Sequence, residues 1–160
     1  MSVLRTVGFL LLPLLFLAAC DPIAREANID QDKYIDEYVT ANFAANTVYR
    51  ENGVCRVVIT PGAASAPIVE RGDSVYLYYA GFTFGQKGPE TQFTLDSASV
   101  RIGSNLIRGL EKGLPGAKLG EEALILFSAD DGYGSSPVGL VPENTALLFD
   151  VIIADIKKNQ

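Results

Sequence analysis

An apolar run at residues 7–17, preceded by Arg5 and closed by Ala18 and Ala19 ahead of Cys20, decides how much of this chain is available for folding. The run is too short to cross a bilayer as a helix. One positive charge before it and small residues behind it are the layout of an export signal. Residues 1–19 are therefore expected to be removed. About 140 residues then remain, enough for one domain around one core and too few for a second.

Leu17-Ala18-Ala19-Cys20 resembles a bacterial lipobox. The resemblance implies cleavage before Cys20 and transfer of a diacylglyceryl group to its thiol, palmitate among the acyl chains of the anchor, so that the mature protein is a lipoprotein tethered in the cell envelope. It would face the periplasm or be displayed at the cell surface. Each buried methylene of such an anchor adds about 0.8 kcal/mol. With Cys20 acylated, Cys55 has no partner for an internal disulfide and is expected to pack as a small apolar side chain. Loss of Arg5 leaves 12 basic against 19 acidic residues, a net charge of −7, which disfavours nucleic acid as an electrostatic partner. The chain contains no histidine. Ser-His-Asp and Cys-His nucleophiles, histidine zinc sites and imidazole bases are thereby excluded, and no metal or cofactor is expected.

Four segments follow: the signal at 1–19, a lipid-anchored spacer at 20–28, a helix and hairpin extension at 29–62, and the main domain at 63–160. Asp30 can cap a helix reaching about Phe43, with Ile29 and Tyr34 as a hydrophobic staple. Its stripe Tyr34, Ile35, Tyr38 and Val39 recurs at helical spacing, and it would serve either as a homodimer arm or as a cover on the rear of the domain. Asn52-Gly53 predicts a type I′ hairpin turn into a strand at 54–60. Further strands are expected at 74–79, 124–127 and 145–157, with a loop at 85–90. On the last strand, alternation puts Leu147, Phe149, Val151 and Ile153 on one face and Leu148, Ile152 and Ile156 on the other. Ile107, Leu110 and Leu114 predict a short helix stopped by Pro115-Gly116. Residues 130–144 form a long Gly-, Ser- and Pro-rich loop, and such loops usually carry function. Within it Asp130-Asp131-Gly132 lacks the alternating oxygen ligands of a calcium loop and reads as a solvated turn.

From Gly72 onward the words Gly72-Asp73, Val75-Tyr76-Leu77-Tyr78-Tyr79-Ala80-Gly81, Ile102-Gly103, Leu106-Ile107-Arg108-Gly109-Leu110-Glu111-Lys112-Gly113, Gly120-Glu121, Tyr133-Gly134 and Leu147-Leu148-Phe149-Asp150-Val151 occur in an order that resembles an FKBP-type peptidyl-prolyl cis-trans isomerase. The resemblance implies an α+β fold, an antiparallel half-barrel sheet wrapped around a short helix, acting on Xaa-Pro bonds of unfolded or exported polypeptides. It implies Tyr79 and Phe149 as aromatic walls, Tyr133 as a hydroxyl donor, Leu106 and Ile107 as one rim, Val141 as the opposite loop edge and Leu110 as the floor. The backbone N–H of Ile107 would be a second donor. The chain departs from the family at three places. Leu110 stands where the most active members have tryptophan, no adjacent Phe-Asp pair precedes the helix, leaving Phe93 and Asp96 as candidates, and Pro137 replaces a frequent histidine. These departures keep two alternatives open: a peptide-binding or chaperone module with little turnover, and a structural envelope lipoprotein.

Overall fold

The structure, a computed structural model, describes residues 22–104 and 106–159. The apolar run and Cys20 lie outside the described residues. Six antiparallel strands form one sheet in the order β1-β2-β5-β6-β3-β4. Strands β1 (Val48–Glu51) and β2 (Val54–Thr60) are joined by Asn52-Gly53, where φ is 49° and 82°, the positive pair a type I′ turn needs.

Strands β3 (Ser74–Gly85) and β4 (Gly88–Arg101) make a long hairpin. The loop expected at 85–90 is a tight turn instead, because Gly85 pairs with Gly88 and pairing continues down both arms. Helix α2 (Arg108–Gly113) lies on the sheet over β5 (Glu122–Phe127). It sits flush because its facing residues are Gly109 and Gly113: a Cβ on the first would overlap the Phe127 ring, and one on the second would lie 2.5 Å from Ile125 Cγ2.

Strand β6 (Ala146–Lys157) runs between β5 and β3, so both of its edges are paired, and its first four residues are buried between the front and rear cores. Leu147, Phe149, Val151 and Ile153 join α2 in the front core, while Leu148 enters a second core behind the sheet. Ile156 departs from the expected alternation and packs at the front. The register moves from Leu77↔Ile153 to Tyr76↔Asp155, leaving Ala154 as an extra residue, and this bulge returns Ile156 to the front face.

Helix α1 (Pro22–Asn42) covers the rear. It begins well before Asp30, so that residue is interior to the helix rather than its cap, and residues 22–28 are helical. Ile35 and Val39 are buried with Cys55, Val57, Leu126 and Leu148, and the rings of Tyr34 and Tyr38 pack on Phe84. The stripe expected on this helix is thus occupied by the chain's own sheet. Cys55 packs as a small buried residue. No helix among the described residues is long and apolar enough to cross a membrane.

Candidate functional site

Between α2, the concave face of β3, β4 and β6, and the loop after β5 lies a hollow of about 660 Å³. Tyr79 from β3, Phe149 from β6, Leu106 and Ile107 before α2, Leu110 on α2, Tyr133 on the loop and Phe93 on β4 all line it. Seven side chains from six segments of the chain therefore converge on it. Tyr79 and Phe149 face one another with centroids 6.4 Å apart, and Phe93 stands edge-on to both Phe149 (5.6 Å) and Tyr133 (6.5 Å). Phe127 stacks behind Phe149 at 5.9 Å and 12°, supporting that wall from below.

Phe93 reaches the hollow through a bulge. Gly81 pairs with Thr94 and Phe82 with Gln92, so Phe93 has no partner opposite and turns inward beside Thr94. A Cβ on Gly81 would meet Phe93 Cζ at 2.6 Å and Thr94 Cγ2 at 2.7 Å. That strand position must be glycine for the ring to lie across it.

Two expected positions fall elsewhere. Asp96 sits opposite Tyr79, but its carboxylate accepts the Ser97 backbone N–H at 2.7 Å in solvent and does not line the hollow. The side chain after Phe93 that does so is Thr94, a hydroxyl. Val141 is fully buried in the front core rather than at a rim. Reciprocal 2.9 Å backbone bonds between Val138 and Val141 tuck it under, leaving Val138 and Leu140 exposed at the loop tip. Ala98 and Val100 on β4 and the charged Arg108 and Asp130 also line the cavity. Nothing in their local patterns separates these residues from ordinary strand and loop positions.

Polar groups are few and differ in state. Burial pushes the Tyr133 phenol above its ordinary range, with the Tyr79 hydroxyl adding to the effect, so Tyr133 remains a proton-bearing donor throughout neutral pH. The backbone N–H of Ile107 has no acceptor among the described residues. Asp131 is a buried ion-pair partner, not a solvated turn residue: Lys112 Nζ lies 2.7 Å from its carboxylate and also donates to Asn52 O at 3.0 Å. This contact ties α2 to the loop bearing Tyr133. No group of three or more metal-ligating side chains occurs among the described residues.

Residues 66–154, more than half of the chain, match the family described as FKBP-type peptidyl-prolyl cis-trans isomerase. The chain belongs to this family. FK506-binding protein 1 of Aspergillus oryzae is 31% identical over 116 residues, covering 65% of this chain and 98% of the fungal one. A peptidyl-prolyl cis-trans isomerase of Schizosaccharomyces pombe is 36% identical over 102 residues, 62% of this chain and 90% of its own. Among solved structures, a peptidyl-prolyl cis-trans isomerase from Pseudomonas syringae aligns with a TM-score of 0.67 at 19% identity, covering 84% of this chain and 96% of that one. The N-terminal domain of FKBP42 from Arabidopsis thaliana gives 0.60 at 21% identity, covering 70% and 93%. These two likenesses establish the FKBP fold of the sheet and α2. The family match begins after α1 and the β1–β2 hairpin.

Proposed function

We propose that this FKBP-type chain turns over Xaa-Pro bonds of exported polypeptides while tethered to an envelope membrane through an acylated Cys20. The observation that carries the reading is the convergence of Tyr79, Phe93, Tyr133 and Phe149 on one apolar hollow. A prolyl peptide bond resists rotation because amide resonance must be broken, at a cost of about 18–20 kcal/mol. The planar amide is more polar than the twisted one, so an aromatic, water-poor cavity favours the twisted state relative to the planar one. In this reading Tyr133 Oη and the Ile107 N–H hold carbonyls on either side of the bond in a turn. The reaction needs no ionisable base, which suits a chain without histidine.

A second reading, a module that grips proline-containing segments with little turnover, is favoured by Leu110 and Thr94. The first leaves the floor smaller than an indole, and the second puts a hydroxyl where the family resemblance implies a carboxylate. A protease-free isomerisation assay on Xaa-Pro tetrapeptides decides between the two. Turnover that falls about tenfold in Tyr133→Phe supports the enzyme reading. Peptide binding without turnover selects the module, and neither would leave a structural envelope lipoprotein. Tethering is tested separately: Cys20→Ser should lose labelled palmitate and leave the membrane fraction.

A further inference from the structure

Gln31 on α1 is only 6% exposed, unusual for an uncharged polar residue on a helix that covers a sheet. Its amide reaches through to the loop at the front. Oε1 accepts the backbone N–H of Ala129 at 2.8 Å, and Nε2 donates to the carbonyl of Asn144 at 2.7 Å. These two residues are the ends of the loop that carries Tyr133. Within the loop, Asn144 N–H donates to Gly134 O at 2.7 Å, and Gly134 N–H donates to Ala129 O at 2.9 Å. The four bonds close a ring: Gln31, Ala129, Gly134, Asn144 and back to Gln31. The Gly134 N–H belongs to the peptide that follows Tyr133, so the ring fixes the plane from which the Tyr133 side chain departs.

We propose that Gln31 is a positioning residue for the prolyl site, clamping the base of the 129–144 loop from behind so that Tyr133 stays aimed into the hollow. The proposal rests on the isomerase reading of that hollow for its effect on turnover, and on geometry alone for its effect on the loop. Asn144 itself holds φ at 51°, a left-handed conformation that asparagine adopts more readily than other non-glycine residues. The Gln31 bond to its carbonyl restrains it there. A helix outside the family match thereby contributes to the geometry of the family's site.

The test uses the full chain and reads amide hydrogen exchange beside turnover. Gln31→Leu, which keeps volume and removes both bonds, should speed exchange at Gly134 and Asn144 about tenfold or more while leaving Val151 and Ile153 on β6 unchanged. Gln31→Glu keeps an acceptor for Ala129 but sets a carboxylate oxygen against the Asn144 carbonyl, and should free the Asn144 end. Val39→Ala, two turns along the same helix face, loosens the rear packing without touching the loop and should leave exchange at both positions at the parent rate. In turnover, Gln31→Leu should lower kcat more than it raises KM, and should cost nothing further in a Tyr133→Phe background. The proposal is overturned if folded Gln31 variants exchange Gly134 and Asn144 at the parent rate, or if Gln31→Leu costs as much with Tyr133 removed as with it present. Should the parent bind peptides without turning them over, only the enzyme reading falls, and the exchange rates decide the clamp.

Discussion

The site's finest constraint is a missing methyl group. With Phe93 Cζ and Thr94 Cγ2 both inside 3 Å of where a Gly81 Cβ would stand, Gly81→Ala must displace two lining side chains at once. Overpacking of this kind costs about 1–3 kcal/mol, and here it also expels an aromatic wall. Urea unfolding should therefore show a lower midpoint for Gly81→Ala, together with weaker peptide binding, whereas a purely structural glycine would change only the first. Leu110→Trp acts in the opposite sense. The hollow beside Leu110 has room for a larger floor, so the variant should fold normally and raise turnover on Xaa-Pro peptides several-fold, for about 1 kcal/mol of added transition-state contact. Unchanged turnover would show that the floor does not limit the reaction. Tyr79, Leu110, Tyr133 and Phe149 were legible because the order of short words around them is distinctive. Thr94 was not, and Asp96 was misplaced, because alternation along β4 is interrupted at Phe93 and a bulge leaves no mark in a strand's own residue pattern.

At the scale of elements, α2 depends on its two glycines more than on its six-residue length. A short helix has little stability of its own and is held by what it packs against. Gly109→Ala would drive a methyl into the Phe127 ring and lift the helix, moving Ile107 and Leu110 with it. Stability should fall by about 1–3 kcal/mol, and peptide affinity should fall in parallel, measured by urea unfolding and titration on the same preparation. The elements easiest to foresee are those with a local chemical cause, such as the Asn52-Gly53 turn and the Pro115-Gly116 stop. Those missed have causes distant in the chain. The face of Ile156 is reset by a bulge against β3, and the partners of Gln31 lie 98 and 113 residues away. A helix stripe predicts that something will cover it without saying which surface. Here the covering surface is the rear of the same sheet.

For the whole molecule, the absence of histidine leaves nothing in the side-chain set that titrates near neutrality, so stability should be flat from about pH 6 to 8 and bend only outside that window. On the alkaline side, burial pushes the Cys55 thiol from 9.0 to about 11, with Arg50 opposing, and burial beside Glu90 and Asp32 pushes the Tyr34 phenol from 10.0 to about 12. In both cases the unfolded chain loses its proton first, so the folded state binds more protons and stability falls as pH rises above 9. On the acid side the signs divide. Burial raises Asp32, with the nearby Asp131 and Asp130 adding to it against a bond from Ser128, and burial next to Glu122 raises Asp150. Both take up protons more readily when folded, so stability climbs as pH drops toward 3.8. Asp73 is the counterweight. Burial acts to raise it, but Lys158 and the N–H groups of Asn159 and Glu70 hold it below 3.8, and its contribution is lost as pH falls through that lowered value. The urea midpoint measured from pH 2.5 to 11.5 should accordingly show a plateau around neutrality, a shallow rise as pH drops toward 3.8, a fall below that as Asp73 takes up its proton, and a fall above pH 9. Asp73→Asn should blunt the acid fall, Asp32→Asn should remove part of the rise, and Cys55→Ala should move the onset of alkaline loss from about pH 9 to about pH 10. A midpoint that instead changed steeply between pH 6 and 8 would mean that a carboxylate is raised far enough to titrate near neutrality, and Asp32, flanked by Asp36, Asp130 and Asp131, would be the residue to substitute first.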